Sequence, residues 1–308
     1  MHILSLSKIF CQPKYSFVVF ALIVTFTVLS GKSAFSKSKP EEGRISDQKI
    51  VSIGGDITEI LYALGLGSRI VAVDTTSLFP ENVLKEKPNV GYMRALSAEG
   101  VLSIPASIIL VSEGAGPPNA VAALKASSTK YVAIPDDPSA EGITRKIEAI
   151  AAATGVVPEG KRISAKISAD FADLAKKQKL ISQKKRVLFV LGVRSGRISV
   201  GGKGTSADGI LQLAGVENAA KYFNGFKLIT SEALVAMEPD AVILMKRRGN
   251  HSGDAFSKLQ AVQLLSANKN GYIREMSGLY LLGFGPRTPD AAREVMEWLY
   301  PEITSKKE

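Results

Sequence analysis

Short β-branched runs alternate with helical patterns from residue 49 to the end of the chain, and this alternation limits the fold more than any other feature. "KIVSI" (49–53), "RIVAVD" (69–74), "SIILVS" (107–112) and "YVAIP" (131–135) read as buried strands in the first half. "RVLFVLGV" (186–193), "AVILM" (241–245) and "GLYLLG" (278–283) read as strands in the second. Strands separated by helices pair in parallel through right-handed crossovers, which makes the chain an α/β protein. The first helix is expected over "DITEILYALG", with Asp56 as N-cap, Glu59 completing a capping box and Gly65 as the stop. Ile57, Ile60, Leu61 and Leu64 share one face of it. The Gly-rich "RSGRISVGGKGT" after 193 reads as a hairpin, "SADGILQLAG" as a helix, and "PDAAREVMEWLY" as the last helix.

Between the two halves the strand character stops. "SAEGITRKIEAIAAATG" ends at Gly155, and Pro158 opens "PEGKRISAKISADFADLAKKQKLI", whose Ile163, Ile167, Phe171 and Leu174 keep helical spacing. At about 1.5 Å per residue this second helix is about 35 Å long, enough to join two lobes. The halves are also related to each other. "LSAEGVLSIPASIIL" (96–110) aligns without gaps on the stretch from Ile229 at a constant offset, so that Ser97 meets Thr230, Glu99 meets Glu232, Val101 meets Leu234 and Ile109 meets Val242. Pro105 and Pro239 fall one place out of register. The chain thus divides into a leader at 1–36, an α/β lobe at 37–138, a helical linker at 139–183 and a second, related α/β lobe at 184–308.

The leader has the pattern of an export signal. Lys8 and Lys14 precede "YSFVVFALIVTFTVLS", and small and polar residues follow, with cleavage expected near Ser36. The apolar run is short for a membrane span, and an uncleaved anchor is the rival reading. The single cysteine, Cys11, lies ahead of the apolar run, so it is not a lipoprotein cysteine, and the exported chain carries no disulfide. Loss of Lys8, Lys14 and Lys32 lowers the net charge of +10 by three. The remaining excess suits an anionic ligand or an acidic surface, as well as a plain lysine-rich exterior.

Enzyme chemistry finds little to stand on. "GRISVGGKGT" lacks the Gly-Lys-Ser/Thr ending of a phosphate loop, and "GLGSRI" and "GFGPRT" lack the third glycine of a dinucleotide loop. With no cysteine and a single histidine, His251, after the leader, nucleophile–histidine and zinc-hydrolase constellations have almost nothing to build on. No basic stripe interleaved with aromatics points to nucleic acid.

An exported, disulfide-free chain of two α/β lobes joined by a long helix resembles the substrate-binding proteins of bacterial ABC importers, in particular the rigid-linker class that serves cobalamin, siderophores and haem. "GYMRALSAEGVLSI" and "LLGFGPRT" are similar to motifs of the periplasmic haem-binding proteins of Gram-negative haem uptake. The resemblance implies two lobes with central, mostly parallel sheets and the ligand in the cleft between them. It places the haem-ligating tyrosine at Tyr92, with haem as cargo and an inner-membrane ABC permease dimer as partner. An outer-membrane haem receptor system would act upstream, in a periplasmic setting. A ferric siderophore or corrinoid on the same fold is the alternative.

The chemistry agrees with that placement. Ferric haem takes a phenolate as axial ligand, and the iron itself favours loss of the phenol proton. Arg94 can add positive charge beside the oxygen. The two propionates of haem favour Arg or Lys, and Lys246, Arg247 and Arg248 directly follow the strand 241–245, where ligands collect in open α/β sheets. A plain basic loop would look the same. Some family members use a second-lobe histidine as a further axial ligand; His251 does not align to that position, and an exposed loop residue is the other reading. Glu99 and Glu232, at helix starts, complement the helix dipole. The resemblance adds a role for them as one acidic contact per lobe to arginines of the permease.

Overall fold

The computed structural model describes residues 47–246 and 252–304. In the first lobe β1 (Ile50–Ile53), β2 (Ile70–Val73), β3 (Ile108–Ser112) and β4 (Lys130–Ile134) form a parallel sheet in the order β2-β1-β3-β4. The second lobe has β5 (Arg186–Arg194), β6 (Arg197–Gly201), β7 (Glu217–Asn218), β8 (Phe226–Ile229), β9 (Ala241–Lys246) and β10 (Ile273–Ser277). Their order is β10-β9-β5-β6-β8, with β7 against β5. The β5–β6 and β6–β8 pairs are antiparallel and the rest parallel. Four-residue strands such as IVSI, buried on both faces, are what a sheet covered by helices on each side requires.

Two helices connect the sheets. Ser139 caps the helix Ala140–Thr154 by accepting from the Gly142 amide, and the helix Val157–Gln178 then runs unbroken for 22 residues, about 33 Å. Ile163, Ile167, Phe171 and Leu174 form its buried face, and its lysines face water. That face belongs to a single apolar core that also takes in Ile57, Ile60 and Leu61 of the first lobe and Phe189, Ile243, Leu281 and Phe284 of the second. The outer faces of the two sheets have separate cores of their own. The lobes therefore share buried apolar surface in addition to the helical connection.

The repeated segment folds the same way twice. Ser97 caps the helix Ala98–Leu102 by accepting from Gly100, and Thr230 caps Ser231–Ala236 by accepting from Ala233. Val101 and Leu234 are each fully buried, and Ile109 and Val242 are buried in β3 and β9.

Two expectations are corrected. Asp56 does not cap the first helix, which spans Gly55–Ala63 with Gly54 at its N-cap and no side-chain cap, and Glu59 forms no capping box. Both carboxylates are buried and drawn into ion pairs instead, Asp56 with Lys146 and Glu59 with Arg287. "GLYLLG" is not a strand but the helix Gly278–Leu282, and the strand is the preceding "IREMS". A five-residue apolar run carries no period able to separate the two. The polar IREMS pattern hides a strand that pairs only with β9.

Candidate functional site

Parallel sheets collect ligands at the carboxyl ends of their strands. In this chain those ends meet. Gly55, just past β1, lies so close to Leu279, just past β10, that a Cβ on Gly55 would come within 2.8 Å of the leucine methyl and 2.2 Å of the Thr76 carbonyl. Only glycine permits that approach. Gly209 makes a similar approach, its Cβ position 2.5 Å from the Pro138 carbonyl. Behind these contacts Arg287 donates to Glu59 at 2.7 Å from the guanidinium and 3.1 Å from its amide, and its guanidinium stacks 3.6 Å from the Phe79 ring centroid.

Tyr92 lies on the loop at this edge of the first lobe. The Thr75 amide, just past β2, donates to the Gly91 carbonyl at 2.9 Å, and the Gly116 amide, just past β3, donates to Met93 at 2.9 Å. The Leu96 amide returns a bond to Gly116 at 2.9 Å. Val90, Met93 and Leu96 pack into the outer-face core, which turns Tyr92 and Arg94 outward. Tyr92 is 46% exposed, a large aromatic given to solvent at the end of a well-pinned loop. Asp74 is buried just past the end of β2. It accepts from the Gly54 and Thr76 amides at 3.0 Å each, and from the Thr76 and Ser77 hydroxyls. Burial raises its pKa against the opposing pull of those bonds.

The other expected residues are distributed as follows. Arg94 is exposed and its guanidinium has no partner among the described residues. Lys246, exposed, ends β9 at the same edge of the second lobe. Arg247, Arg248 and His251 lie outside the described residues. Glu99 and Glu232 are partly or fully solvent-facing in the first turns of their two matched helices. Among the described residues no three His, Cys, Asp or Glu side chains gather into a metal-binding group, and no helix is long and apolar enough to cross a membrane. A polar cavity of about 290 Å³, lined by Lys185, Asp240 and Tyr272 among others, lies at the opposite, amino end of the second sheet, away from Tyr92.

Sequence reasoning missed the Glu59–Arg287 pair, although Arg287 stands in the "LLGFGPRT" motif. It also missed Arg194 and Arg197 at the β5–β6 turn. The doubled arginine in "RSGR" was the available signal.

Two α/β lobes, a helical connection and facing carboxyl edges define the substrate-binding class of ABC import systems. The chain belongs to the periplasmic binding protein family, whose model matches residues 50–278. Over 285 residues, 91% of this chain and 86% of the relative, it is 27% identical to the uncharacterized ABC transporter substrate-binding lipoprotein YvrC of Bacillus subtilis (strain 168). Among solved structures it is similar to the periplasmic heme-binding protein RhuT from Roseiflexus sp. RS-1 in apo form, with 32% identity and a TM-score of 0.78 over 83% of this chain and 99% of that one. A 70-residue stretch, 23% of this chain and 25% of the relative, is 31% identical to the vitamin B12-binding protein of Yersinia pestis (strain Pestoides F). These relatives are binding proteins by name, and the chain is a binding protein, not an enzyme.

Proposed function

We propose that this protein captures ferric haem in the cleft between its lobes, with Tyr92 as axial ligand, and delivers it to an inner-membrane ABC permease. The observation that carries this reading is Tyr92 itself. It is exposed at the carboxyl edge of the first sheet, on a loop pinned by β2 and β3, with the unpaired Arg94 two residues on. A loop so constrained holds the phenol at low entropic cost to ligation. The heme-binding neighbour of known structure supports the same cargo. Residues 1–36 act as a cleaved export signal, lobes 37–138 and 184–308 enclose the ligand, and 139–183 connect them. Arg94 stabilises the phenolate, Lys246, Arg247 and Arg248 are propionate partners, and His251 is the first residue to test for a second axial bond.

The test is a hemin titration of the protein lacking residues 1–36. A one-to-one, five-coordinate, tyrosinate-type ferric spectrum is expected, and Tyr92→Ala should abolish it. No Soret change at micromolar protein, together with tight binding of a corrinoid or ferric siderophore, would remove the haem reading. The stretch shared with a vitamin B12-binding protein makes the corrinoid the first competitor to titrate.

A further inference from the structure

The β5–β6 hairpin ends on two arginines placed directly opposite each other. Arg194 is the register partner of Arg197, and Ser195 and Gly196 make the two-residue turn with φ of 50° and 73°. Positive φ at both positions is the type I′ pattern that closes a tight hairpin. For Ser195 it is an uncommon conformation for a residue with a side chain. Like charges directly opposite on paired strands repel. An anion seated between two arginines held in this register would offset that repulsion.

The protein does not supply one among its described residues. Arg69 holds the Thr154 carbonyl, and six other described arginines each hold a carboxylate. The described arginines without a side-chain partner are Arg94, Arg194 and Arg197. All three stand at the carboxyl edges of the sheets, one on the first lobe and two on the second.

The pair also projects from the face of the second sheet that is turned to the shared core. Val193 and Ile198, the adjacent register pair, pack into the outer-face core of the second lobe. A bulge between Val190 and Gly192 shifts the alternation on β5 by one residue, so Arg194 and Arg197 project from the face opposite Val193 and Ile198, the one that carries Phe189 and Met245 of the core shared with the first lobe. Both guanidinium groups are exposed there.

We infer that Arg194 and Arg197 form a rigid fork that binds the carboxylates of the transported ligand. The inference rests on the haem reading, in which those carboxylates are the two propionates. Guanidinium groups suit this task because each presents two parallel N–H donors to a carboxylate. The β-hairpin fixes their spacing before the ligand arrives, and it extends the grip beyond Lys246 and the residues after it.

Hemin and hemin dimethyl ester, whose propionates are uncharged, are titrated into the wild-type protein, Arg194→Gln/Arg197→Gln and Arg194→Lys/Arg197→Lys. Wild type should bind hemin about ten- to a hundredfold more tightly than the diester, the range expected of charge-assisted hydrogen bonds. The Gln pair should lose most of that preference, the remainder resting on Lys246 and the residues after it, while keeping wild-type affinity for the diester, an unchanged Soret maximum and an unchanged melting temperature. The Lys pair should recover part of it. An undiminished preference in the Gln pair would overturn the fork and leave the Tyr92 reading in place. So would an equal loss for both ligands. A wild-type protein blind to both porphyrins would overturn the haem reading and the fork with it.

Discussion

Arg287 of the second lobe and Glu59 of the first are joined by two hydrogen bonds, 2.7 Å from the guanidinium and 3.1 Å from the backbone amide. The Glu59 side chain is 5% exposed, and Arg287 covers it while stacking on Phe79 and approaching Tyr280. A carboxylate at that depth costs free energy unless it is paired. The pair therefore ties the two lobes together.

Removing one partner should cost more than removing both. Arg287→Ala leaves Glu59 buried and alone, a loss of about 3 kcal/mol, the lower end for a broken buried pair because the arginine is itself partly exposed. Glu59→Met with Arg287→Leu should recover most of it. Urea unfolding of the wild type and the two variants measures the difference. Equal midpoints for Arg287→Ala and wild type would show that the pair contributes nothing.

The lobes should move little when ligand binds. The helix Val157–Gln178 is continuous, and the core it lines is shared by both lobes, so a hinge would have to break buried apolar contacts. Small-angle scattering curves of free and hemin-loaded protein should superpose. A marked contraction on loading would place a hinge where the structure has none.

Much of this architecture was legible in the sequence because it depends on period and punctuation. The strands β1 to β4 and the long helix follow from β-branched runs and from the spacing of Ile163, Ile167, Phe171 and Leu174. The matched caps at Ser97 and Thr230 were visible as a repeat. What failed was local reading of residues whose partners lie far away in the chain. Asp56 and Glu59 have the right spacing for the start of a helix, but Lys146 and Arg287, 90 and 228 residues on, decide where their carboxylates go. Long-range ion pairs leave no local pattern. The opposed arginines of "RSGR" take meaning only once the hairpin register is known.

Tyr280 predicts a specific loss of stability in alkali. Burial, followed by the nearby Glu294 and Asp290 carboxylates, pushes its phenol up to about 12. The unfolded chain ionises its tyrosines near 10. A group with a raised folded pKa contributes stability that is complete below pH ~10 and lost as pH rises through about 12. Tyr280→Phe should therefore flatten the fall in melting temperature across that window without changing it at pH 7. Burial also raises Tyr62, Tyr131 and Tyr300, so part of the slope will persist. An unchanged slope in the variant would assign the alkaline transition to those residues.

Glu99 and Glu232 lead to the last expectation, which concerns delivery. They occupy equivalent places in the first turns of two short helices, each capped by the hydroxyl two residues earlier and anchored by a fully buried residue two places on. The Thr230 hydroxyl and its own amide hold the Glu232 carboxyl below the usual carboxylate range, so it is ionised at any physiological pH. Neither glutamate has a basic partner among the described residues. Two matched, unpaired anions, one per lobe, suit a partner built of two like subunits. Replacing both with Ala should leave hemin affinity unchanged and prevent stimulation of the permease ATPase. Single replacements should be milder and strongly salt-dependent, because exposed charge pairs act mainly by steering association. Lys at both positions should be worse than Ala, since it sets like charge against a basic permease surface. If the glutamates serve only their helices, the same variants will melt slightly lower and transport normally. Melting and uptake measured on one set of proteins separate these outcomes, and wild-type uptake by the double Lys variant would end the docking role.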